Sequence, residues 1–333
     1  MRILSLAPLA GPGLDRLRTL GELELDPWID HIPIKIHTAD ELRARLAGVD
    51  VLIVEADFVS AEVLEGLSLR VIGACRGDPV NIDVDAATRN RITVVRTPGR
   101  NADGVAELAI GLMLTLLRGI VAADADIRAG RWVVEQRIAQ QRFRGKELSS
   151  STVGLVGFGA VGRATAQRLR ALGATVVAYD PMVDAGEMRA AAVEPAGSVG
   201  ELMERSDIVS VHAALNDATR GLLDRAAFAR LRRGSFFVNT ARFGIADEHA
   251  LLDALQDGRL AGAAFDHFTN EFLPPDHPLI GMPNVVLTPH LGGATDGAVI
   301  RHTTQVAEAI EAVLAGRSHP FVVNPDVSRA ASG

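Results

Sequence analysis

Three side chains in the C-terminal half of the chain have the types needed to move a proton and hold an oxyanion: Arg242, Glu271 and His290. A guanidinium is planar and always charged. It grips a carboxylate in bidentate fashion and polarises a carbonyl oxygen. An imidazole titrates near neutrality, so it can take a proton from a hydroxyl and give it back. A carboxylate on the second ring nitrogen fixes the tautomer and raises the basicity of the ring. Such a set suits the oxidation of a 2-hydroxy acid, in which the hydroxyl loses its proton while its carbon loses hydride. That reaction needs a hydride acceptor.

The acceptor's site is legible upstream, in Thr152-Val-Gly-Leu-Val-Gly157-Phe-Gly159-Ala-Val-Gly162-Arg163. An apolar run enters a GxGxxG turn, Ala164 to Leu172 follow with helical spacing, and Thr175 to Tyr179 form a second apolar run ending on Asp180. Strand, glycine turn, helix, strand and acid make the dinucleotide-binding fingerprint. Gly157 permits the tight turn, Gly159 lets backbone approach a pyrophosphate, and Gly162 lets helix and strand pack closely. The first-turn N–H groups, at Ala160 and Val161, then face the phosphates. Asp180 stands roughly 20 residues beyond the last glycine, where a carboxylate accepts the ribose hydroxyls of NAD.

The elements that must position these groups read as α/β throughout. In the first hundred residues, strands are expected at Arg2 to Leu6, Val51 to Val54, Val71 to Gly73 and Thr93 to Val95. Helices are expected at Leu14 to Leu20, from a capping-type start at Thr38-Ala-Asp-Glu41, and from Ser60 through Leu67. Ala102 to Ala122 reads as one long apolar helix that must be buried, crossing between two domains or packing in an oligomer interface. Residues 123–150 read as a further helix and an arm. Later strands are expected at Ile208 to His212, Ser235 to Asn239, Gly262 to Asp266 and Val285 to Thr288, with a helix from Ala294 to Ala315 and a frayed end from Ser328 to Gly333. Their carboxyl ends carry Asp180, His212, Asn239 to Arg242, Asp266 and His290, and ligands of open parallel sheets bind at such ends. His212, His249, His267 and His302 read as structural or solvent-facing.

At 333 residues the chain is long enough for two domains, and 48% hydrophobic content supplies their cores. A net charge of −7 gives no electrostatic case for nucleic acid. The single cysteine, Cys75, excludes a disulfide framework and reads as a small buried residue. The N-terminal apolar run is too short for a signal peptide, and none is long enough to span a bilayer. A soluble, cytoplasmic protein is the expectation. No Cys/His cluster has metal-ligand spacing, so no metal is expected.

With these residues in view, the chain resembles the NAD-dependent D-isomer-specific 2-hydroxyacid dehydrogenases, the family of phosphoglycerate, glyoxylate and D-lactate dehydrogenases. The resemblance rests on Asn81-Ile-Asp83, Thr97-Pro-Gly99, Val105-Ala-Glu107, the glycine fingerprint, Asn239-Thr-Ala-Arg242, Asp247-Glu248, Asp266 with Glu271, and Thr288-Pro-His290-Leu-Gly-Gly293. It implies two Rossmann-like domains with doubly wound parallel sheets. Residues 1–101 and 293–333 would form a discontinuous substrate domain, and 102–292 the NAD-binding domain. It further implies Arg242 as substrate-binding arginine, His290 as acid/base, Glu271 as its partner and Asp266 orienting the nicotinamide carboxamide. Thr240 and Gly292 would join the cofactor site, and a homodimer would form around the long helix.

Three departures stand out. Phe243 replaces the glycine that usually follows the arginine, and is expected to crowd or reshape the entrance. His212-Ala-Ala-Leu-Asn216 replaces an HxPLT pattern. The loop that offers backbone N–H groups to the substrate carboxylate reads Cys75-Arg76-Gly77-Asp78-Pro79-Val80. Arg76 either adds a second cation to a pocket formed with Gly77 and Asp78, or pairs with Asp78 and shapes the loop. Two alternatives share the architecture. Formate dehydrogenases carry glutamine where Glu271 stands. NADH-sensing corepressors keep the site but act through partner-binding extensions, of which this sequence shows almost none beyond Pro325.

Overall fold

In the computed structural model, which describes residues 1–329, the chain forms two compact units, Met1–Arg100 with the segment from Thr295 onward, and Asn101–Ala294. Of the end expected to fray, residues 330–333 lie outside the described residues, and Asp326–Arg329 form a short helix.

The first unit holds a parallel sheet of β1 (Arg2–Ser5), β2 (Glu22–Leu25), β3 (Val51–Val54), β4 (Val71–Ala74) and β5 (Thr93–Val95), in the order β2-β1-β3-β4-β5. Successive residues of a strand point to opposite faces. Leu52 and Val54 of β3 therefore feed one apolar cluster with Leu42 and Ile72, while Val51 and Ile53 feed the other with Val306 and Ile310. The helix Asp296–Leu314 covers that second face. Thr38 caps Ala39–Arg45 with a full capping box, Glu41 answering the Thr38 N–H at 2.9 Å. The helix after Ser60 is shorter than its sequence suggests. It spans Ala61–Leu64, Ser60 makes no side-chain cap, and Gly66 at φ 74° has left the helical region.

In the arm, a small hairpin of β6 (Val133–Val134) and β7 (Arg137–Ile138) precedes a short helix, Ala139–Arg142. The large sheet of the second unit contains β8 (Thr152–Val156), β9 (Thr175–Tyr179), β10 (Glu194–Pro195), β11 (Ile208–Val211), β12 (Ser235–Asn239), β13 (Leu260–Phe265) and β14 (Val285–Leu287). All pairs are parallel, in the order β10-β9-β8-β11-β12-β13-β14. Strand order reverses at β8, so the topological switch point lies between β8 and β11.

The long apolar helix is two helices. Ala102–Arg118 ends at Gly119, which adopts the left-handed conformation (φ 60°), and Ile120–Arg128 leaves at 62° to it. The first buries Ala109, Ile110 and Met113 against Val153 and Leu169 of its own unit. Arg168 fixes it further through Asp103 (2.8 Å) and Glu107 (3.2 Å). Among the described residues, no single helix is long and apolar enough to cross a membrane.

Candidate active site

The glycine turn closes on β11. A Cβ on Gly157, at φ 98°, would lie 2.6 Å from the Ala213 nitrogen, and one on Gly162 would lie 2.3 Å from the Gly157 carbonyl oxygen. Gly159 differs: nothing lies within 4 Å of the position its Cβ would take. It precedes the helix Ala160–Ala171, whose first turn receives no side-chain cap. The turn therefore leaves a space beside uncapped N–H groups, the arrangement an anion on a helix N-terminus requires. At the end of β9, the Asp180 carboxylate accepts the N–H of Phe158 at 2.8 Å and of Met182 at 2.9 Å. One oxygen thus ties the second strand to the glycine turn.

Two neighbouring strand ends in this crevice carry buried polar atoms without a partner: Nδ1 of His212 after β11 and Oγ1 of Thr240 after β12. Buried polar groups are normally satisfied, so such atoms mark where a ligand's polar groups would complete them. With the open cradle at Gly159 and the acid at Asp180, the residues present fit a dinucleotide. His212 also rests on Ser210, 3.0 Å from Nε2, and burial of its ring nitrogens pushes its pKa down to about 4. It is neutral at physiological pH.

Arg242 stands three residues past β12, in a turn bracketed by the buried Asn239. The Asn239 Nδ2 donates to the Arg242 carbonyl at 3.0 Å, and its Oδ1 accepts the Ala241 N–H at 3.0 Å. The guanidinium is exposed. Phe243 does not crowd an entrance. It is buried, with its ring centroid 5.5 Å from Phe265 and 5.9 Å from Phe268, because an aromatic ring at that position gains a core contact that glycine cannot make.

β11, β13 and β14 end one residue earlier than their sequences suggest, which leaves His212, Asp266 and Thr288 just beyond the sheet. Asp266 is 1% exposed and holds the segment after β14. Its Oδ1 accepts from the Thr288 hydroxyl at 2.6 Å and the Leu291 N–H at 2.7 Å, and its Oδ2 accepts from the Gly292 N–H at 2.8 Å. The His290 N–H donates to the Asp266 carbonyl at 2.7 Å. A Cβ on Gly292 would come within 3.1 Å of that carboxylate, so glycine permits the grip. His290, at φ 56°, presents its Nδ1 to Glu271 Oε1 at 2.8 Å. Glu271 and its neighbour Asn270 are also left-handed, each at φ 56°. Three non-glycine residues in this sparsely populated region, gathered at one place, are local strain held by the surrounding structure.

His267, expected to be structural or solvent-facing, is a member of this group. Its Nε2 lies 3.3 Å from the same Glu271 oxygen, and its ring packs edge-on against His290 with centroids 4.9 Å apart. Burial, then the charge of Arg242, push its pKa below the usual imidazole range. Its position next to Asp266 was the only sequence signal available. The ligating atoms of His267, Glu271 and His290 all lie within 4.8 Å of one another, a spacing that a cation could also use. His249 is exposed, and His302 is buried in the first unit between the Pro8 carbonyl (2.7 Å) and Arg100 (3.2 Å).

Arg242, Asp266, Glu271 and His290 are thus brought together in the second unit, with Gly157, Gly159, Ala160, Val161, Gly162, Asp180, Thr240 and Gly292 around the same sheet ends. Arg76, Gly77 and Asp78 belong to the first unit, in the loop after β4. There the Arg76 carbonyl accepts the Thr97 N–H at 2.8 Å. Cys75 is fully buried, and burial pushes its thiol pKa up.

Residues 110–292 match the NAD binding domain of the D-isomer specific 2-hydroxyacid dehydrogenases. The chain is 35% identical over 326 residues to D-3-phosphoglycerate dehydrogenase of Methanocaldococcus jannaschii, covering 97% of this chain and 59% of that protein. Several other D-3-phosphoglycerate dehydrogenases are covered over only 52–53% of their length, so the chain spans little more than half of these relatives. Glyoxylate reductase of Thermofilum pendens is 35% identical over 318 residues, covering 95% of this chain and 92% of that one. Among solved structures, the TT0316 protein of Thermus thermophilus superposes with a TM-score of 0.82 at 34% identity, covering 97% of this chain and 100% of its own. Fold, glycine turn and matched sequence agree: the chain belongs to the D-isomer specific 2-hydroxyacid dehydrogenase family.

Proposed function

We propose that the chain is an NAD(H)-dependent oxidoreductase interconverting a D-2-hydroxy acid and its 2-oxo acid. The observation that carries this is the Glu271–His290 pair at 2.8 Å, in one group with Arg242. In the oxidative direction Arg242 binds the substrate carboxylate and polarises the C2 oxygen. His290 accepts the hydroxyl proton on Nε2, and Glu271 stabilises the imidazolium through Nδ1. Bound NAD supplies the acceptor for the C2 hydride. Asp180 would hold the adenosine ribose, the glycine turn the pyrophosphate, and Asp266 and Thr240 the nicotinamide end. Glu271 argues against a formate-type reaction, since a glutamine cannot stabilise the imidazolium as a carboxylate does.

Residues 1–101 and 293–333 are proposed as the substrate domain, with Arg76, Gly77 and Asp78 setting which acid is used. Exposed apolar residues such as Ile120, Val121, Ile127 and Trp132 support a homodimer, which light scattering would check. A cytoplasmic location belongs to the same reading, and cell fractionation tests it. The direct functional test is NADH oxidation with a panel of 2-oxo acids, phosphorylated and polyhydroxylated ones included. NADH binding with no turnover on any of them would favour the sensor.

A further inference from the structure

Glu271 is 55% exposed on a left-handed turn, yet it must aim one oxygen at His290. A half-exposed carboxylate on a long side chain does not hold such an aim unaided, because solvent and rotamer freedom compete for it. Among the described residues, the side-chain partners of Glu271 are two imidazoles, and both meet the same Oε1: His290 at 2.8 Å and His267 at 3.3 Å. His267 is the more sheltered ring, at 13% side-chain exposure against 45% for His290.

We propose that His267 is a positioning residue for proton transfer, holding the Glu271 carboxylate in line with His290. This rests on the reading of His290 as acid/base. The groups facing His267 are Arg242, Glu271, His290 and Asp266. Burial and the cation of Arg242 disfavour its protonated form, while Glu271 and Asp266 oppose them less strongly. The neutral ring has one N–H and one bare nitrogen. Its Nδ1 is buried without a partner, which a bare nitrogen tolerates better than an N–H would, so the proton sits on Nε2 and faces Glu271.

The test is the pH dependence of kcat/KM in the oxidative direction for wild type, His267→Leu, His267→Gln and His290→Gln. Leucine removes the contact, so the half-exposed Glu271 carboxylate loses its aim at His290 and stabilises the imidazolium less. The acid limb is expected to move to lower pH by roughly half a unit to one unit. The kcat is expected to fall roughly tenfold, with the KM for NAD unchanged. Glutamine, whose amide N–H reaches to about the same point, should restore the wild-type limb. The proposal is overturned if His267→Leu leaves limb and kcat where they were, or if the glutamine variant behaves as leucine does while folding normally by circular dichroism. Substantial activity in His290→Gln instead overturns the acid/base reading beneath it. An inactive His290→Gln beside an unshifted His267→Leu removes His267 alone.

Discussion

Glu271 Oε1 and His290 Nδ1 lie 2.8 Å apart, and both residues hold the left-handed backbone at φ 56°. Neither conformation is one a glutamate or histidine adopts freely. The strain at His290 is held by Asp266, which binds the histidine's segment through three side-chain acceptor contacts and its own carbonyl. Glu271→Gln keeps the shape of the side chain and removes its charge. The kcat should fall roughly 10- to 100-fold, because the imidazolium forms only during turnover, while substrate KM changes little. Equal losses in kcat and in NAD affinity would contradict that division.

Two glycines of one turn should fail in different ways. A Cβ on Gly162 collides with the Gly157 carbonyl, so Gly162→Ala should cost about 1–3 kcal/mol of stability, read as a lower unfolding midpoint. Gly159 faces open space, so Gly159→Val should fold with a near wild-type midpoint and lose NADH affinity by at least roughly tenfold. Unimpaired NADH binding in a folded Gly159→Val variant would place the pyrophosphate elsewhere.

Acid should destabilise the fold through His212. Burial lowers its pKa from 6.5 to about 4, so the folded chain excludes a proton that the unfolded chain binds between those values. Stability is therefore intact above about pH 6.5 and lost as pH falls toward 4, by up to about 3 kcal/mol from this residue. His267 and His302 are shifted in the same direction. Urea unfolding at pH 7.5 and pH 5 should show the loss, and His212→Asn should shrink it. An unchanged pH dependence in that variant would assign the effect to other groups.

Arg76 bears on which acid is used. If its cation meets the substrate, Arg76→Ala should reduce kcat/KM more for acids with a second anionic or hydroxyl-rich end than for simple ones. Equal losses across the panel, or none, would leave it shaping the loop.

The buried parts of this fold were legible in the sequence, and the exposed parts were not. Val51–Val54 and Val153 to Val156 are apolar because both sheet faces are covered, so they read as strands without ambiguity. The edge strands Glu22–Leu25 and Glu194–Pro195 carry acids or proline, as edges that resist aggregation do, and gave no such signal. The helix break at Gly119 was hidden because apolar composition continues past it. In the site, Arg242, Glu271 and His290 were found from chemistry and family pattern. His267 was missed because its contact with Glu271 depends on the chain reversing through Asn270 and Glu271 at positive φ, which no spacing rule anticipates.

The most direct measurement pairs NADH turnover with NADH binding in wild type and His290→Gln. Wild type should oxidise NADH with at least one 2-oxo acid. His290→Gln should be slower by roughly a thousandfold or more, with NADH affinity, read by fluorescence, within about threefold of wild type. Retained turnover in His290→Gln would mean that another group moves the proton.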